Sequence, residues 1–137
     1  MAGIDSIVAG IKTRLETISG LTVYLEPPES VRQTPCAIIL PSTGNYDESM
    51  DGSTLHTVII TVLVSKGQGY AEAQDELREY MAITGGSSIR GAINGDIDLG
   101  SAVDWSRIVR YYDYGGHEYA GEQYLGVRFE LQAYEGG

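Results

Sequence analysis

Val58-Ile59-Ile60-Thr61-Val62-Leu63-Val64 is apolar at both parities, and every residue in it except Leu63 is β-branched. Side chains alternate between the two faces of a strand. A run that is apolar at both parities therefore predicts a central strand covered on both sides, at least in part. The run extends from Thr54 to Ser65. The end of the chain carries the complementary pattern. Leu125, Val127, Phe129, Leu131 and Ala133 alternate with Arg128, Glu130 and Gln132, which predicts a strand with one face in the core. Val103 to Tyr114 is predicted to be its partner, with Val103, Trp105, Val109 and Tyr111 on one parity and a hairpin turn at Gly115-Gly116. Trp105, Val127, Phe129 and Leu131 are expected in the core. Cys36-Ala37-Ile38-Ile39-Leu40, between Pro35 and Pro41, reads as a short buried strand. Thr22 to Glu26 reads as another, ended by Pro27-Pro28 because proline has no N–H for a ladder.

Three segments have helical spacing. Ile4, Ile7, Val8, Ile11, Leu15 and Ile18 form one apolar stripe, with Asp5 or Ser6 as N-terminal caps and Gly20 as a stop. Tyr70, Ala73, Leu77, Tyr80 and Met81 form a second, with Glu72, Asp75, Glu76, Arg78 and Glu79 off it and Gly85-Gly86 beyond. Ser87 or Ser88 caps a third that carries Ile89, Ala92 and Ile93 and closes at Asn94-Gly95-Asp96. Residues 42–53 read as a loop rich in Gly, Asn, Asp and Ser. The resulting order, α-β-β-β-α-α-β-β, predicts a single α+β domain over 1–137: a mostly antiparallel mixed sheet of four or five strands, packed by the N-terminal helix and one or two central helices.

Composition narrows the function classes. The chain has 137 residues, 42% hydrophobic and 20% charged, which is a globular composition. Nine Lys and Arg against 19 Asp and Glu give a net charge of −10. That argues against gripping nucleic acid by its phosphates or docking on an anionic membrane. No apolar run is long enough to span a bilayer, and the first residues lack the pattern of a signal peptide. A single cysteine, Cys36, makes no intrachain disulfide and suggests an intracellular home. Ten Tyr beside one Trp and one Phe suit half-buried surfaces and interfaces.

No catalytic constellation is visible. His56 and His117 have no nearby partner of ligand type in the sequence, so both read as structural or surface residues. Cys36 sits in an apolar run, where a thiol is a small inert hydrophobe. Gly67-Gln68-Gly69 and Gly85-Gly86 lack the residues of a phosphate-binding loop. Asp47, Glu48 and Asp51 do not follow calcium-loop spacing and read as a solvated acidic loop. An enzyme or small-molecule binder needs a convergent polar pocket, for which no residue set presents itself, so no cofactor or metal is expected. Tyr111, Tyr112, Tyr114, Tyr119 and Tyr124 invite a base-stacking reading, but Arg107, Arg110 and Arg128 are outnumbered there by acids. A Tyr-covered hairpin with Tyr112, Tyr114, His117 and Tyr119 fits a protein–protein surface better. Tyr46, Asp47, Glu48 and Asp51 form the second candidate interaction segment.

The order of segments resembles the tail terminator proteins of long, flexible-tailed phages, especially those infecting actinobacteria. The resemblance runs over roughly residues 4–134. It rests on Thr34-Pro35-Cys36-Ala37-Ile38-Ile39-Leu40-Pro41, on Tyr46 ahead of Val58–Val64, on Ala73-Gln74-Asp75-Glu76-Leu77-Arg78-Glu79-Tyr80, on Gly86-Ser87-Ser88-Ile89-Arg90-Gly91-Ala92-Ile93, and on Tyr124-Leu125-Gly126-Val127-Arg128-Phe129. It implies a structural virion protein, not an enzyme. Such a protein caps the tail tube, ends its polymerisation and forms the head–tail joining surface as a homohexameric ring. Its partners are further copies of itself, the tail tube protein and a head-completion or connector protein. It is assembled in the host cytoplasm and resides in the neck of the virion. DNA passes through without specific binding, and the acidic loop is expected at the ring surface or its lumen. Another neck or tail-completion protein of similar fold is the alternative.

Overall fold

The Val58–Val64 run is the middle of β3 (Thr54–Ser65), and β3 is the middle strand of a five-stranded sheet. The structure is a computed structural model, and it describes residues 3–25, 33–46, 52–65 and 69–136. The other strands are β1 (Thr22–Tyr24), β2 (Cys36–Tyr46), β4 (Trp105–Tyr119) and β5 (Glu122–Glu135), in the spatial order β1-β2-β3-β5-β4. Only the β1–β2 pair is parallel. Three helices complete a single α+β domain: α1 (Ile4–Leu15), α2 (Tyr70–Met81) and α3 (Ile89–Asn94). Number, type and order of elements are as the sequence patterns predict.

All three helices cover the same face. Ile7, Ile11 and Leu15 of α1, Ala73, Leu77 and Tyr80 of α2, and Ile89 and Ile93 of α3 pack with Ile39, Val58, Ile60, Val62, Leu125, Val127, Phe129 and Leu131. The alternation in β5 thus has its predicted meaning. On the opposite face Cys36, Ile38, Leu63 and Tyr124 form a small separate cluster, with Tyr24 and Tyr119 against it. The two-sided apolar character of β3 is therefore met by helices on one face and by this cluster at one end of the other.

Several local expectations are corrected. The turn between β4 and β5 is Ala120-Gly121, at φ 53° and 83°, not Gly115-Gly116. Two successive residues at positive φ make the tight turn whose twist matches the flanking strands. Gly115, at φ 146°, instead follows a bulge, because the ladder shifts register between Tyr112 and Gly115. A second bulge at Val109 shifts the register between Ile108 and Arg110. One inserted residue flips the side-chain phase. Trp105 and Tyr111, assigned one parity by counting, therefore lie on opposite faces: Trp105 pairs with Tyr134 and Tyr111 with Phe129. Trp105 is half-buried rather than in the core, and stacks on Tyr134 at 5.8 Å between centroids and 9° between planes.

Residues 42–46, expected in a loop, continue β2 past a bulge at Ser42 and pair with Thr54–Thr57. Ser42 lets the strand pass Pro41 without the ladder depending on the missing N–H. The N-cap of α1 is Gly3, with no side-chain cap from Asp5 or Ser6. Ser88 does cap α3, accepting from the Gly91 N–H at 2.9 Å. Tyr70, counted in the apolar stripe of α2, is exposed at the helix's first turn.

Candidate interaction surface

The helix-free face of the sheet is built by alternate residues of β2 to β5. Ladder pairing decides which residues share it. Arg107 lies opposite Gln132, Arg110 opposite Glu130, Tyr112 opposite Arg128, and His117 opposite Tyr124. Paired residues of an antiparallel ladder point to the same side. Arginines 107, 110 and 128 therefore share one face with Tyr112, His117 and Tyr119.

The arginines are held, not splayed. Arg110 Nε donates to Glu130 Oε1 at 2.7 Å, and its guanidinium lies 4.4 Å from the Tyr112 ring centroid. The Glu130 carboxylate, first among its causes, raises the Arg110 pKa. Arg128 Nη1 donates to Asp113 Oδ2 at 2.8 Å. Arg107 lies over Trp105 at 6.0 Å from the ring centroid. The Arg110 side chain is 60% exposed and its partner Glu130 only 18%, so solvent meets the guanidinium and not the carboxylate beneath it.

At one end of this face is a hollow of about 130 Å³. Ile38, Leu40, Thr61 and Leu63 form its apolar floor, and His117, Glu118, Tyr119 and Arg128 its rim. Leu40 is 39% exposed there. The His117 ring sits over Gly126, where a Cβ would come within 2.8 Å of it and of Leu63 Cδ2. That close approach accounts for the glycine in the middle of β5. His117 Nε2 lies 2.8 Å from the Asp113 carbonyl oxygen, which orients the ring, the nitrogen donating in that tautomer. Tyr124 Oη donates to Glu122 Oε2 at 3.0 Å. Burial, first among the causes, raises the pKa of both Tyr119, on the rim, and Tyr124, in the small apolar cluster beside it.

The predicted interaction residues divide accordingly. Tyr112, His117 and Tyr119 share this face, whereas Tyr114 falls in the bulge between Tyr112 and Gly115, without a ladder partner, and is exposed. Tyr46 does not join them. It pairs with Thr54, at the other end of β3 from the Ser65–Tyr124–His117 row, about 36 Å away at strand spacing. It is 83% exposed beside Ile4 and His56, on the helix side of the sheet. Asp47, Glu48 and Asp51 lie outside the described residues. Two features escaped sequence reasoning. Leu40 becomes a surface residue only because no helix among the described residues covers its face. His56 Nε2 lies 3.1 Å from Glu135 Oε1, a pair mostly buried under the α1 side, and the β3–β5 register that joins them is not legible locally.

Among the described residues no group of three or more His, Cys, Asp or Glu is placed to hold a metal ion. Burial pushes the Cys36 thiol up to about 11, the reverse of what a nucleophile needs. No described helix is long and apolar enough to cross a membrane. A scan against family models and a search of curated proteins both find no match for this chain.

Proposed function

We propose that this chain is a structural virion protein that caps the tube of a long phage tail, ends its polymerisation and joins it to the head, as a homohexameric ring around the DNA path. The observation that carries the reading is the order of elements together with where the resembling segments fall. Ala73–Tyr80 lies in α2, Ser88–Ile93 spans the cap and body of α3, Val58–Val64 is the middle of β3, and Tyr124–Phe129 lies in β5. Each motif occupies a separate packing element, so their order reports the fold and not a local composition.

The surfaces support an assembly role over a catalytic one. The helix-free face combines exposed Leu40, aromatic Tyr112 and Tyr119, and oriented arginines, which is the composition of a protein interface. Its hollow is too small for a drug-sized ligand. Six copies at −10 each put −60 on a ring, a field that repels phosphates and keeps DNA sliding. The partners under this reading are the tail tube protein on one side of the ring and a head-completion or connector protein on the other, and the protein resides in the neck of the virion. The test is negative-stain imaging of the purified protein mixed with tail tubes. Density at one tube end is expected; decoration along the tube, or none, refutes the reading.

A further inference from the structure

We infer that the sheet continues from one copy of this chain into the next, the outer edge of β4 at Arg110–Tyr119 pairing with the outer edge of β2 at Ile39–Tyr46 of a second copy. The inference rests on the ring reading above and names the joint that reading needs.

Among the described residues the sheet has two open edges. β4 pairs only with β5. β1 covers β2 only at Cys36–Ile38, so from Ile39 onward β2 pairs only with β3. The start of β4 is packed by α3 and the loop after it, where Ser106 Oγ donates to the Ile97 carbonyl oxygen at 2.8 Å. Beyond that, Arg110, Tyr111, Asp113, Tyr114, Gly116 and Glu118 are exposed. In β2 every residue from Leu40 to Tyr46 is exposed, at both parities. Each segment is a strand held by one ladder, with its other row of backbone N–H and C=O groups turned outward.

The two segments lie at diagonally opposite corners of the sheet. Gly115, in the middle of the β4 segment, is opposite Gly126 of β5. Thr43, in the middle of the β2 segment, is opposite Thr57 of β3 and through it Gln132 of β5. The offset is roughly six residues, about 20 Å along the strands. One chain cannot bring the segments together, and a heterologous contact needs two such different patches on each subunit. Tyr46, far from Tyr112, His117 and Tyr119 within one chain, meets that group across the joint.

Direction, charge and tilt select a second copy as the partner. β2 and β4 run in opposite directions, so the next copy's β2 adds to β4 as an antiparallel strand, with the helices of both copies on the same side. Ile39–Tyr46 contains no charged residue, whereas edges that stay unpaired are commonly blunted by charge. Copies at −10 each meet least repulsion at such an edge. Pro41 and the bulges at Ser42 and beyond Tyr112 limit the joint to short paired stretches. Five strands at about 4.8 Å spacing span about 24 Å. An offset of about 20 Å over that width tilts the strands by roughly 40° to the axis of a closed ring, within the roughly 35–45° of closed barrels.

The test uses the full chain, a β2-edge variant, Thr43→Asp with Asn45→Asp, and a β4-edge variant, Tyr112→Asp with Tyr114→Asp. Circular dichroism melting confirms that each variant is folded. Sedimentation velocity over a concentration series reads the assembly state, and hydrogen exchange on the parent reads the joint without any substitution. The parent is expected to form a closed oligomer that persists as salt rises, because salt screens the repulsion between copies. Amides in 39–46 and 110–119 should slow as it assembles, while those of α2 keep their rates. Each variant alone is expected to lose association at least about tenfold, since aspartate is a poor strand residue and adds charge to the edge. Mixed in equal amounts, the two variants should form a dimer and nothing larger, because only one intact pair of edges remains between them. A parent that stays monomeric, an oligomer whose 39–46 and 110–119 amides exchange as in the monomer, or folded variants whose mixture rebuilds the full oligomer overturns the joint. The capping reading fails separately. If the joint behaves as expected but the oligomer does not sit on tube ends, the joint stands without the capping role. If the parent caps tubes while both segments exchange as in the monomer, the capping role stands without this joint.

Discussion

Phe129→Ala probes the strand parity on which the whole core depends. Phe129 is 2% exposed and lies on the helix side of β5, between Val127 and Leu131 and opposite Ile60 of β3. Removing a buried ring costs its transfer free energy plus a cavity that close-packed neighbours refill only in part, about 3–5 kcal/mol. A chain of 137 residues unfolds with an entropy near 290 cal/mol/K at about 2.1 per residue. The melting temperature should therefore fall by roughly 10–17 °C. Gln132, on the opposite parity, is the internal control: Gln132→Ala should stay within about 0.5 kcal/mol of the parent. Thermal unfolding by circular dichroism, with urea titration for the free energy, measures both. A Phe129→Ala protein that melts within about 3 °C of the parent, or a Gln132→Ala loss as large as that of Phe129→Ala, would falsify the assignment of faces.

Ser88→Ala removes a hydroxyl that accepts from the Gly91 N–H and donates to the Ala82 carbonyl oxygen at 2.5 Å. It should destabilise the protein by about 1 kcal/mol, and urea titration showing no loss would sink the cap. Burial holds the Cys36 thiol neutral up to about 11, against 9.0 for the exposed group. The native state keeps a proton that the unfolded chain releases, so Cys36 contributes stability that is complete below pH 9 and fades as pH rises towards 11, by roughly 2–3 kcal/mol in all. Tyr80, raised from 10.0 to about 12 by burial and by Glu76 and Glu79, extends the decline. Stability that stays level from pH 9 to 11, or that declines identically in Cys36→Ala, contradicts this. The chain should not retard linear duplex DNA in a gel at about 150 mM salt, because the described arginine row is short and partly neutralised by Glu130 and Asp113. Saturable binding that persists at that salt would overturn both the passenger role of DNA and the acidic-lumen reasoning.

Element order, element type and the core side of β5 were legible because they rest on local periodicity. Leu125, Val127, Phe129, Leu131 and Ala133 alternate regardless of what lies beyond them, and Ile7, Ile11 and Leu15 keep helical spacing in any context. The bulges at Val109 and beyond Tyr112 were not legible, because an extra residue changes the pairing without changing composition. Gly115-Gly116 and Ala120-Gly121 are both plausible turns by residue type. The ladder between Tyr119 and Glu122 decides between them. The candidate surface divides the same way. Its tyrosines and arginines were visible as types, but their assembly with Leu40 and the Ile38 hollow depends on β2 and β5 flanking β3. Tyr46 was grouped with them by chemistry and is separated from them by the length of β3. Periodicity says that a strand has an apolar side. Which side the helices cover, and which they leave uncovered, is a long-range packing choice that only the tertiary structure records.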